Sequence, residues 1–220
     1  MAQPANILNQ NISIKRLQEM RNFGGEILTH GLKEEILKKF ISHDQNLRSA
    51  IESAYEHFVV LQKEKPDFLL LSEKEQIKLA QQNIVNFYAN ENVNPYVAIS
   101  AMGPWIVTLK GAVIYDCGGY GMLGLGHSPK LALNEIKKPH VMANVMTPSL
   151  SQMEFIDILK KEIGHSRTNK STFTEFCCLN SGSESVSIGA RLADVNAKEL
   201  TAKGAKHLGK SIARLTLSGS

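Results

Sequence analysis

The sequence predicts an α/β chain in which a helical N-terminal segment and a β-hairpin are followed by the start of a mainly parallel α/β domain. Three observations carry this reading. Apolar residues recur at three- and four-residue spacing in the first hundred positions, two β-rich runs flank Lys110-Gly111, and strand-like and helix-like runs alternate from residue 172 onward. The expected divisions are 1–95, 96–148 and 149–220.

In the first division, Leu47, Ile51, Ala54, Tyr55 and Phe58 follow Asp44 on one helical face. Ser72-Glu73-Lys74-Glu75 is a capping box, in which the serine accepts an orphan backbone NH and the glutamate reaches back to the serine's own. The stripe Ile77, Ala80, Ile84, Phe87 and Tyr88 comes next. Such stripes predict core-facing or partner-facing helices, and no chemistry is assigned to them.

After Asn94-Pro95 the period changes. Residues 105–109 and 112–116 are short β-rich runs separated by Lys110-Gly111, which suits a tight hairpin. A glycine-rich turn leads to Ser128-Pro129, read as the cap and first residue of a short helix that must stop before Pro139. Residues 150–163 read as a longer helix with Gly164 as its C-terminal punctuation. A strand over 172–179, a turn over 180–183, a helix from Glu184 and a strand over 211–217 complete the pattern. Val186, Ala190, Ala193 and Ala197 share one face of that helix, and strand, helix, strand is the βαβ unit of a parallel sheet.

Composition bounds the function. With 43% hydrophobic and 21% charged residues the chain can bury a core, which excludes a disordered tail. The net charge of +4 comes from interspersed signs, so no nucleic-acid partner is implied. No apolar run approaches the roughly 18 residues of a membrane span. Residues 1–10 are polar without a signal-peptide pattern, so no membrane partner and a cytoplasmic location are expected. Cys117, Cys177 and Cys178 lack metal-type spacing and are expected to be plain buried thiols, with no metal site.

Three glycine-containing motifs compete for chemistry. Gly119-Tyr120-Gly121-Met122-Leu123-Gly124 matches G-x-G-x-x-G, but Pro129 comes too soon for a long helix and no carboxylate stands near Asn144 to hold a ribose. Gly204-Ala205-Lys206-His207-Leu208-Gly209-Lys210-Ser211 matches the phosphate-loop letters with its surroundings inverted: a helix arrives and a strand departs. A nucleotide-binding module built on this stretch is the rival function. Asn180-Ser181-Gly182-Ser183-Glu184 has the right context, a strand end running into a helix start, where unpaired NH groups converge on one point. Ser181 and Ser183 add hydroxyl donors, and Gly182 lets backbone approach a ligand. The plainer reading is an ordinary N-cap.

The pentapeptide does not stand alone. Asn180-Ser181-Gly182-Ser183-Glu184 resembles the N-S-G-[ST]-E motif of class III aminotransferases. Gly103-Pro104-Trp105, Gly111, Tyr115-Asp116, Gly119-Tyr120 and Leu125-Gly126-His127-Ser128-Pro129 are similar to that family's hairpin, aspartate and L-G-H-x-P blocks, and Gly209-Lys210 with 218–220 resembles the stretch before its aromatic-His-Gly segment. The blocks cover about half the chain in order.

The resemblance implies a fold type I, PLP-transferase-like architecture, incomplete at the C-terminus. It implies pyridoxal 5'-phosphate as cofactor, acting as the electron sink while the protein supplies placement. Ser181, Gly182 and Ser183 would bind the cofactor phosphate, and Tyr120 would lie against the substrate. His127 is expected to be structural. The reaction implied is transfer of an amino group between an amino donor and a 2-oxo acid or aldehyde, in a homodimer. The family's Schiff-base lysine, the aspartate for the pyridine nitrogen and the ring-stacking aromatic would all follow Ser220. No catalytic residue is therefore assigned in this chain, and the 220 residues alone are expected to be inactive. The remaining alternative is a catalytically inactive interaction protein of the same fold.

Overall fold

Asp44 ends one helix and starts the next. It separates α2 (Glu34–His43) from α3 (Gln45–Glu64), and its carboxylate accepts the amides of Asn46 at 2.8 Å and Leu47 at 3.2 Å. From there α3 buries Leu47, Ala50, Ile51, Ala54 and Phe58, the face the spacing predicts, with Tyr55 at its margin. Ile14, Leu17 and Met20 of α1 (Pro4–Asn22) and Leu37 and Ile41 of α2 close on the same core. The computed structural model describes residues 4–85, 93–117, 124–141, 146–163, 173–213 and 215.

Two short helices, α4 (Pro66–Leu70) and α5 (Glu73–Ala80), follow α3. The predicted capping box forms: Ser72 Oγ accepts the amide of Glu75, and the Glu75 carboxylate accepts the amide of Ser72 at 3.0 Å. The apolar stripe beyond it does not continue, because α5 stops at Ala80, Asn83 takes a positive φ of 68° and Ile84 is exposed. Phe87 and Tyr88 lie outside the described residues. What α5 buries is polar, Glu73 and Gln76. Glu73 accepts the amides of Leu28 and Thr29 at 2.8 and 2.7 Å, and Gln76 donates to the carbonyl of Phe68 at 2.9 Å. Buried polar groups bonded to backbone in this way hold a loop that has no ladder of its own.

The sheet is antiparallel, in the order β1 (Ala98–Met102), β2 (Trp105–Thr108), β3 (Val113–Tyr115). Strand β1 was not anticipated. It turns into β2 through Gly103-Pro104, where Gly103 has φ +57°, and pairs Met102 with Trp105. The β2–β3 hairpin was anticipated, but its connection spans 109–112 rather than Lys110-Gly111 alone. Gly111, at φ +70°, donates its amide to the carbonyl of Thr108 at 2.9 Å.

This turn is buried, which is unusual for a loop. Lys110 explains how: its ammonium donates to the carbonyls of Gly24, Leu69 and Leu71 at 2.5, 2.8 and 2.7 Å. Trp105 seats the sheet on the helices. Its indole NH bonds Asp44 at 2.7 Å, and its ring meets those of Phe40 and Tyr115 edge-on.

The parallel sheet expected after residue 149 is absent from the described residues. After α6 (Lys130–Ile136), the elements there are α7 (Leu150–Glu162) and α8 (Gly182–Thr201). Pro129 caps α6 instead of opening it, and α8 begins two residues before the expected Glu184. Residues 173–179, 211–213 and 215 carry no strand ladder. A strand exists through its partner, and no described residue of this region supplies one. The buried-thiol expectation falls with it, since Cys117, Cys177 and Cys178 are all exposed.

The chain divides into two compact units, Met1–His140 and Val141–Ser220. The buried core of helices α1–α3 and the sheet belongs wholly to the first, whereas α7 and α8 bury no residue. Among the described residues no helix is long and apolar enough to cross a membrane.

Candidate functional site

The segment from Asn180 to Glu184 folds by local rules. Ser181 is extended and caps α8, its hydroxyl accepting the amide of Glu184 at 3.2 Å. The Glu184 carboxylate turns back and accepts the amide of Asn180 at 2.9 Å. Together these fix the turn. Ser185 and Ser187 spend their hydroxyls on the carbonyls of Ser181 and Ser183.

The three predicted phosphate ligands therefore separate into two kinds. Ser181 is a cap, and its hydroxyl is committed. The amides of Gly182 and Ser183, with the Ser183 hydroxyl, have no partner among the described residues. They stand at the positive end of a 20-residue helix. A side-chain carbon added at Gly182 would meet nothing within 4 Å, so the approach is open. Two free amides, a small hydroxyl and an uncrowded approach fit a phosphate group. Tyr120 and the glycine-rich turn around it lie outside the described residues.

The L-G-H-x-P block has a structural role in the first unit. His127 pairs its backbone with Gly103 in both directions, at 2.7 and 2.9 Å, and its Nε2 meets the Asp116 carboxylate at 3.0 Å. Both side chains are about four-fifths buried, at 22% and 20% exposure, so the pair closes the segment from Asp116 onto the β1–β2 turn. Sequence reading placed both residues in one block without pairing them. Their eleven-residue separation carries no periodic signal; only the antiparallel bridge to Gly103 brings them together.

The loop over 204–211 turns its amides inward. Those of Ala205, His207, Leu208 and Lys210 bond the carbonyls of Ala202, Leu200, Ala205 and His207 at 3.0–3.2 Å. A phosphate loop needs those donors free and a helix leaving the loop. No helix leaves it among the described residues, because 210–213 are irregular.

Among the described residues no group of three or more His, Cys, Asp or Glu side chains could hold a metal ion. Comparison of the chain with protein-family models, curated proteins and solved structures gives no match.

Proposed function

We propose that this chain carries the phosphate-holding segment of a pyridoxal-phosphate-dependent aminotransferase, which moves an amino group between an amino donor and a 2-oxo acid or aldehyde. The observation that carries the proposal is the start of α8, where the Gly182 and Ser183 amides are uncommitted while the cap beside them is complete. The ordered blocks from Gly103 to Pro129, which resemble class III aminotransferases, make pyridoxal phosphate the anion of choice. When bound, the cofactor supplies the electron sink. The residues of this segment supply placement: two NH donors and the helix dipole fix the phosphate, and Ser181 keeps the helix end rigid.

The test is equilibrium binding of pyridoxal 5'-phosphate and of pyridoxal, which lacks the phosphate, with inorganic phosphate as competitor. Pyridoxal phosphate is expected to bind in a phosphate-competed manner and pyridoxal to bind far more weakly. Ser183→Asp, a substitution compatible with the first turn of a helix, places a negative charge beside the two amides. It should lower affinity by about tenfold or more. Equal binding of the two aldehydes, or unchanged affinity in Ser183→Asp, would sink the proposal.

A further inference from the structure

Asn46, Met102, Leu125, His127, Lys130 and Leu131 line a groove of about 240 Å³ that lies wholly within the first unit. Its walls are the start of α3, the end of β1 and the segment leading into α6. Gly103 forms the backbone part of the wall, and a side-chain carbon there would come within 2.9 Å of the Asn46 amide nitrogen. The absence of that carbon makes room for the Asn46 side chain against Gly103.

Of the polar side chains lining the groove, Ser128 donates its hydroxyl to the Ala101 carbonyl at 2.9 Å and His127 meets Asp116, which leaves two uncommitted donors. Neither the Asn46 carboxamide nor the Lys130 ammonium has a hydrogen bond or ion pair among the described residues. The nearby negative charges are spent. Asp44 accepts the amides of Asn46 and Leu47 and the Trp105 indole, and Asp116 is held by His127. Met102, Leu125, Pro129 and Leu131 supply apolar lining. Uncommitted donors and hydrocarbon lining one groove are what a small amphiphilic anion matches.

We propose that this groove binds a short-chain carboxylate, with Lys130 and Asn46 on the carboxyl group and Met102, Leu125 and Leu131 along the chain. One ammonium balances a single negative charge, and the carboxamide adds neutral NH donors. A dianion would stand against Asp44 and Asp116 with only Lys130 to neutralise it. The proposal rests on none of the argument for pyridoxal phosphate.

The experiment is a nuclear magnetic resonance titration of the full chain with hexanoate, hexylamine and inorganic phosphate in turn. Hexanoate is expected to saturate with a dissociation constant of about 1 mM, the scale for a ligand of so few atoms, and to shift the Asn46 and Lys130 resonances. Hexylamine and phosphate should leave those resonances in place. Lys130→Glu, at an exposed position, should weaken hexanoate by about tenfold, and Asn46→Leu should weaken it without altering the α3 cap. Three results overturn the proposal: no saturable shift with hexanoate, equal shifts with hexylamine, or unchanged affinity in both variants. A shift with phosphate alone would assign the groove to a different ligand class and overturn it as well.

Discussion

Replacing Lys110 by methionine tests how the buried hairpin turn is held. The ammonium serves three carbonyls, those of Gly24, Leu69 and Leu71, and among the described residues only Leu69 has another side-chain donor, Gln76 at 3.4 Å. Methionine keeps the length and apolar stem and removes every donor, leaving the part-buried carbonyls of Gly24 and Leu71 unpaired at about 1–3 kcal/mol each. Relief from desolvating a buried charge offsets part of that. The expected net loss is about 2–4 kcal/mol, read from urea unfolding as a lower midpoint at unchanged slope. A second arm is pH. Burial holds the Lys110 ammonium below its ordinary value of 10.5, with Glu73 pulling weakly the other way. Between the folded and ordinary values the unfolded chain binds more protons, so wild-type stability rises with pH in that window and levels off above it. Lys110→Met should lack this rise. A loss under about 0.5 kcal/mol would show that the stranded carbonyls find other donors and refute the reasoning.

Asp44→Ala removes the α3 cap and the partner of the Trp105 indole together, and should lower stability by about 2–3 kcal/mol, measured by the same unfolding experiment. Gly111→Ala should be more disruptive than its size suggests. Its φ of +70° strains any side chain, and the new carbon would lie 2.5 Å from the Leu17 carbonyl, so a loss above about 2 kcal/mol is expected in thermal melts. Bonds from Ser72 hold the Glu75 carboxyl below its ordinary 4.5. The capping box therefore stabilises α5 above that value and loses its contribution as pH falls through the folded value, which Glu75→Gln should flatten in a comparison of acid unfolding curves.

Legibility in the sequence followed the range of the interaction. The face Leu47-Ile51-Ala54-Phe58, the capping box at Ser72 and the extent of α7 depend on residues within a turn or two of each other, and all were readable. Strand β1 was missed because Ala98–Met102 is short and weakly patterned, and is made a strand by its pairing with β2. The buried pair Glu73 and Lys110 gave no signal at all. Charged residues are normally solvated, and only a backbone that delivers two amides to one and three carbonyls to the other makes their burial tolerable.

The same distinction bears on the candidate site. Everything that opens the Gly182 and Ser183 amides is local: the Ser181 hydroxyl takes the Glu184 amide, and the Glu184 carboxylate takes that of Asn180. None of it requires a packed core, and α8 has none among the described residues. A helix start with two uncommitted amides is thus written into five consecutive residues, independently of whether 173–179 pairs as a strand. Affinity is a different matter. A phosphate held by two solvent-facing amides competes with water at full dielectric, and its binding strengthens only as neighbouring surface excludes that water. Binding of pyridoxal phosphate by this chain should therefore be weak and strongly lowered by salt, whereas a site walled in by further protein would lose little affinity as ionic strength rises.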